Sequence, residues 1–273
     1  MRRAFRSSLL TLALVAVLSA SFSNAAGAAA PANGLYVALG DSLAYGIGAS
    51  DRTRTAYVPL LFKYFKQPQT EKVRILRNLS RPGETSDSFI AGGQLGLAVG
   101  VIVDPTTDTR VVTLDIGGND LLFLITAGPC ESDPGGEACQ TLVAAQLVKF
   151  ARNYAIILAT LQTALDADPG EEKLFVMTYY NPYSGTGLPY EAFADRALLG
   201  SDLVIDCSAG PGDPRAGLND LIACIGASSG AVVADVYPAF VGRGYELTHV
   251  ATGDIHPNDA GYAVIAQTFI AAD

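Results

Sequence analysis

Five short runs of apolar and β-branched residues, most of them separated by segments with helical spacing, set the tightest limit on what this chain can fold into. Leu35-Tyr36-Val37-Ala38-Leu39 ends in Gly-Asp-Ser and reads as a buried parallel strand. Val73 to Leu79, Arg110 to Ile116, Lys173 to Tyr179 and Ala231 to Val236 read as four more. Thr55 to Lys66, Thr85 to Val101, Leu142 to Ala167 and Asn258 to Ala271 carry apolar residues every three to four positions, the period of an amphipathic helix. Gly92-Gly93 and Gly96 weaken the second of these helices. Alternating strands and helices mean βαβ units, hence a parallel sheet covered on both faces. In such sheets the working groups gather at the carboxyl ends of the strands. The least regular stretch, Asn181 to Gly230, holds Gly and Pro residues around one or two weak helices and is expected to form one wall of the site and not a separate domain.

The first residues stand apart from this pattern. Arg2, Arg3 and Arg6 precede an apolar run from Leu9 to Leu18, and small residues follow through Ala30. That order is a secretory signal peptide, with cleavage expected near Ala25 or Ala28. The run falls short of the roughly 20 residues that span a bilayer, which disfavours a membrane anchor. Residues 1–28 are therefore read as the leader and 29–273 as one catalytic-sized α/β domain. With the leader's three arginines gone, 15 basic residues face 27 acidic ones, a formal balance of −12. So acidic a product is not drawn by charge to nucleic acid or to an anionic membrane. Oligomeric state is not legible.

Cys130, Cys139, Cys207 and Cys224 form no Cys-x-x-Cys pair, and the chain has only two histidines, so no metal site is expected. An even count in an exported chain suggests disulfides. Of three possible pairings, Cys130–Cys139 and Cys207–Cys224 are favoured, because each pair brackets a Gly/Pro-rich stretch; free buried thiols are the alternative.

Ser42 sits where the first strand ends, placed to enter a turn with its hydroxyl in the cleft. A serine hydroxyl needs a base to become a nucleophile. His256, in Asp254-Ile255-His256-Pro257-Asn258, has Asp254 on the same short loop to accept its Nδ1 proton and turn Nε2 toward the serine. His249 lacks such a neighbour and ranks second. After the second strand, Gly83 in Arg81-Pro82-Gly83-Glu84 can bring a backbone N–H close to a substrate. After the third, Asn119 in Gly117-Gly118-Asn119-Asp120 offers an amide, or merely caps the next helix. With the Ser42 N–H these make three donors for an oxyanion. Asn78-Leu79-Ser80 also matches a glycosylation acceptor, a pattern common by chance.

These four segments, in this order, resemble the conserved blocks of the SGNH hydrolases, also called GDSL esterases and lipases, and span positions 40 to 258. The resemblance implies a three-layer α/β/α sandwich around about five parallel strands, in the flavodoxin-like manner. It implies Ser42 as nucleophile, His256 as base and Asp254 as its orienting carboxylate, with oxyanion donors from Ser42, Gly83 and Asn119. It implies two-step acyl transfer with no cofactor. The Cys-bearing loops and leader are more similar to the secreted bacterial lipase-like branch than to the compact thioesterases. The expected substrate is a small-molecule or lipid ester, with no stable membrane insertion. Two alternatives are a carbohydrate esterase removing acetyl groups, whose sugars Tyr179 to Tyr190 would stack against, and a non-catalytic binding protein on the same fold.

Overall fold

The computed structural model describes residues 34–125, 128–168 and 170–273; the leader lies outside the described residues. Five strands form one parallel sheet: β1 (Gly34–Gly40), β2 (Val73–Asn78), β3 (Asp108–Asp115), β4 (Lys173–Met177) and β5 (Val232–Ala234). Their spatial order is β2-β1-β3-β4-β5, with Gly40 in register with Asp115 and Ala38 with Asn78. Every residue of β1 is buried, which is why it reads as an unbroken apolar run. β2 lies on the sheet's edge, so Arg74 and Arg77 can alternate toward solvent. The order reverses direction between β1 and β3. Loops leaving those two strands diverge there and open a crevice at their carboxyl ends.

Among the described residues twelve α-helical segments surround the sheet: α1 (Ser42–Tyr45), α2 (Tyr57–Phe65), α3 (Ser86–Ala91), α4 (Gln94–Ile102), α5 (Gly118–Ile125), α6 (Pro129–Ser132), α7 (Glu137–Leu165), α8 (Glu191–Leu199), α9 (Leu218–Ser228), α10 (Tyr237–Phe240), α11 (Gly244–Leu247) and α12 (Asp259–Ala272). One face is covered by α2 and α12, whose Tyr57 and Phe269 rings stack 5.5 Å apart, with Phe269 against Phe175 of β4. The other carries α3, α4, α7 and α9, packed chiefly on α7. The result is the expected three-layer α/β/α sandwich. Among the described residues α7 alone is long and apolar enough to cross a bilayer, yet it turns Phe150, Tyr154, Ile157, Leu158 and Leu161 into the core.

Two elements differ from the sequence reading. The helix expected from Thr85 to Val101 is broken into α3 and α4, because Gly93 adopts a left-handed φ of +87°. The break turns the buried Gln94 amide onto the end of β1, where it accepts from the Gly40 N–H (2.8 Å) and donates to the Gly40 carbonyl (3.0 Å). Helix α7 begins five residues earlier than expected, so Cys139 lies on the helix and not in a loop. The pairings are Cys130–Cys139 and Cys207–Cys224, as favoured. The irregular stretch after Asn181 contains α8 and α9.

The amino end of the sheet, away from the crevice, gathers charge. Lys173 binds Glu71 (2.9 Å) and the Asp273 side chain (2.7 Å), which also accepts from Tyr64. Nearby, Asp108 pairs with Arg110 through one oxygen, while its Oδ1 and Glu172 Oε1 are buried without partners. Both oxygens face Gly170, where an added Cβ would stand 2.8 Å from Glu172 Oε1 and 3.2 Å from Asp108 Oδ1. Burial, then the Asp168 charge, raises Glu172 above its ordinary value. A carboxyl raised by folding stabilises below its unfolded value and loses that contribution as pH rises through its folded one. Glu172→Gln supplies a donor for Asp108 and removes one charge. We expect its melting temperature to exceed wild type by about 2–4 °C at pH 7, and the gain to shrink as pH falls and the wild-type Glu172 takes up its proton. A pH series by calorimetry checks this.

Candidate active site

The turn after β1 is fixed by its neighbours in the sheet. Gly40 has φ +133°, and a Cβ there would stand 1.9 Å from Asp115 Oδ1. Asp115, at the end of β3, accepts the Asp41 N–H at 2.8 Å on Oδ1 and the Tyr57 hydroxyl at 2.6 Å on Oδ2. Asp41 in turn caps α1 by accepting the Leu43 N–H at 2.9 Å. Ser42 is therefore the first residue of a helical turn, where a backbone N–H has no acceptor inside the helix. Gly46, at φ +88°, ends that turn.

The histidine arrives on a pinched loop between α11 and α12. Thr248 and Pro257 form an antiparallel bridge, and the His249 N–H donates to the His256 carbonyl at 3.0 Å. Asn258 caps α12 by accepting the Gly261 N–H and ties back to the Glu246 carbonyl. Within this loop Asp254 Oδ1 receives both the His256 N–H (3.0 Å) and its Nδ1 (2.5 Å). His256 Nε2 lies 2.8 Å from Ser42 Oγ. These partners assign the tautomer: Nδ1 carries the proton and Nε2 accepts from the serine. Burial acts to raise the Asp254 carboxyl, but the N–H and imidazole of His256 outweigh it, and the group ends below its ordinary value. It stays an anion facing the ring. His249, ranked second, points Nε2 at the Gly48 carbonyl (2.8 Å) and secures the loop after α1.

Gly83 and Asn119 complete the crevice. Gly83 has φ +80° with open space about it. Asn119 is the second residue of α5, and its Nδ2 lies 3.0 Å from the Glu84 carbonyl and 3.3 Å from Asp41 Oδ2. Its neighbour Asp120 is buried and accepts the Ser86 N–H (2.8 Å) and hydroxyl (2.5 Å), clamping the Gly83 loop to α5. The Asn78 amide is committed to the Ala44 carbonyl at 2.7 Å, with its oxygen on Ser80. Ser42, Gly83, Asn119 and His256 all line one cleft of about 430 Å³. Leu121, Leu122 and Ile125 of α5, Phe193, Ala197 and Leu198 of α8, and Leu218 of α9 form its wall, and no lysine, arginine or glutamate lines it among the described residues.

Sequence reading missed the layer behind this surface. Asp41 is buried, and burial pushes its carboxyl up to about 6 despite donors from Leu43 and Tyr179. Asp115 too is raised well above its ordinary value, through burial and then the Asp41 charge. The Tyr179 hydroxyl donates to Asp41 Oδ2 at 2.8 Å across 138 positions. No local spacing signals such a contact. Tyr180 stacks on Phe240 with centroids 4.3 Å apart and donates to the Ile255 carbonyl, packing the histidine loop, and with Tyr179 and Tyr183 it also lines the cleft.

Residues 38–264 match the model of the GDSL-like lipase/acylhydrolase family. Among solved structures the chain is similar to a phospholipase A1 from Streptomyces albidoflavus (19% identity, TM-score 0.60, 88% of this chain and 100% of that one). It is also similar to an extracellular lipase from Streptomyces rimosus (21%, TM-score 0.57, 88% and 99%). An acetylxylan esterase from Geobacillus stearothermophilus shares the fold at 14% identity (TM-score 0.55, 89% and 94%). No curated protein matches.

Proposed function

This chain belongs to the GDSL-like lipase/acylhydrolase family, and on that premise we propose that it hydrolyses esters of lipid acyl chains through Ser42, His256 and Asp254. The observation that carries this reading is the unbroken line from Asp254 through His256 to Ser42 Oγ, opening on an apolar cleft. His256 Nε2 takes the Ser42 proton as Oγ attacks the ester carbonyl. The N–H groups of Ser42 and Gly83 and the Asn119 amide receive the oxyanion. His256 then protonates the departing alcohol, and water attacks the acyl-enzyme by the same route. Asp254 holds the imidazolium that forms in each half-reaction.

An acetyl group would leave most of a 430 Å³ cleft unfilled, whereas a long acyl chain would meet leucine, isoleucine and phenylalanine along its length. Each methylene buried contributes up to about 0.8 kcal/mol, or roughly fourfold in kcat/KM. Across p-nitrophenyl esters from acetate to palmitate, kcat/KM should therefore climb well past butyrate before levelling. A maximum at acetate, with acetate released from acetylated xylan, would overturn the lipid reading in favour of carbohydrate. We further propose that the enzyme is secreted after removal of residues 1–28; two disulfides suit an oxidising compartment.

A further inference from the structure

Asn119 Nδ2 has two hydrogens, and both are directed at protein oxygens in the free enzyme. The contact with the Glu84 carbonyl has ordinary length at 3.0 Å, while that with Asp41 Oδ2 is stretched to 3.3 Å. To bind an oxyanion the amide must release one of them, and the Asp41 contact is the weaker. Asp41 is buried, and among the described residues no lysine or arginine pairs with it. Its charge rests on the Leu43 N–H at Oδ1 and on two donors at Oδ2, Tyr179 and Asn119. Those two compete for the same oxygen.

Tyr179 is built to hold its place in that competition. Asn219 of α9 binds its backbone on both sides, accepting the N–H at 2.7 Å and donating to the carbonyl at 2.8 Å. Its ring packs against Gly118, where even a Cβ would come within 2.6 Å of Cε1. We propose that Tyr179 is a positioning residue for acyl transfer: by occupying Asp41 Oδ2 it keeps that carboxylate from capturing the Asn119 amide, and leaves the amide free to turn to the oxyanion. This rests on Asn119 being an oxyanion donor. Without the phenol, Asn119 becomes the principal donor left to Oδ2, and the reaction must first break a stronger bond.

Tyr179→Phe retains the ring and removes only the hydroxyl. With kcat normalised to Ser42 sites titrated by a fluorophosphonate, unfolded protein does not register as lost rate. On p-nitrophenyl octanoate kcat should fall about tenfold, the scale of a charge-assisted hydrogen bond gained by a competitor, with KM within twofold. Asn119→Ala should cost on the order of a hundredfold. Since Tyr179 acts through Asn119, the double variant should lose no more than Asn119→Ala alone. Losses that multiply, unchanged kinetics in Tyr179→Phe, or a rise in KM at constant kcat would each overturn the role of Tyr179 and leave the oxyanion reading standing. Full activity in Asn119→Ala would instead overturn that reading, and the role of Tyr179 with it.

Discussion

Ser42→Ala should lower turnover of p-nitrophenyl octanoate by on the order of a millionfold while leaving the melting temperature within about 2 °C of wild type. Among the described residues the serine hydroxyl hydrogen-bonds His256 Nε2 alone, and it lies at the cleft surface, so no core hydrogen bond is lost. His256→Ala should cost about as much, and the double variant no more than either, because nucleophile and base act as one unit. Asp254→Asn should retain more activity. Its side chain is about half exposed, so water can hold part of the imidazolium charge that the carboxylate held. Stopped assays at matched concentrations of folded protein measure all four. Ser42→Ala activity within tenfold of wild type would place the nucleophile elsewhere.

Gly40→Ala, two residues away, should fail for a different reason. A Cβ there would press 1.9 Å from Asp115 Oδ1 and 2.2 Å from the Asp115 carbonyl, on a backbone at φ +133° that L-residues rarely adopt. Neither atom can yield. Asp115 is in register beside Gly40 in the sheet and holds the Asp41 N–H and Tyr57 hydroxyl. The expected loss is about 4 kcal/mol or more, enough to leave little soluble protein, read from expression yield and urea midpoint. Gly230→Ala is the matched control: φ is +79°, but nothing lies within 4 Å of the new Cβ. It should cost only the backbone strain, about 1–2 kcal/mol. Equal urea midpoints for the two variants would show that the contact with Asp115 carries no weight.

What could be read from the sequence follows from how far apart the interacting groups lie. Strand β1 announces itself because a central parallel strand is apolar throughout, and Ser42 because its turn comes directly after it. Asp254 and His256 share one loop, so their pairing is a local matter. The Gly83 loop and Asn119 are each visible as strand-end segments, although their meeting needs β2 and β3 to flank β1. Gln94 is different. Its amide serves the Gly40 backbone 54 positions away, and only the kink at Gly93 aims it there. Tyr179, Asp41 and Asp115 come from the ends of three strands, and each alone reads as an ordinary strand-terminal residue. Sequence exposes groups that act through near neighbours, and it hides those whose partners the sheet supplies.

The charged amino edge of the sheet also bears on how the enzyme can be mounted. Strand β1 begins at Gly34 on that edge, and Asp273 is tied there by Lys173 at the start of β4. Both ends of the folded body thus emerge on the side opposite Ser42. A surface, bead or fused partner joined through either end would lie behind the sheet, with the cleft facing outward. The same geometry would keep a tethered enzyme open to substrate arriving from bulk solution.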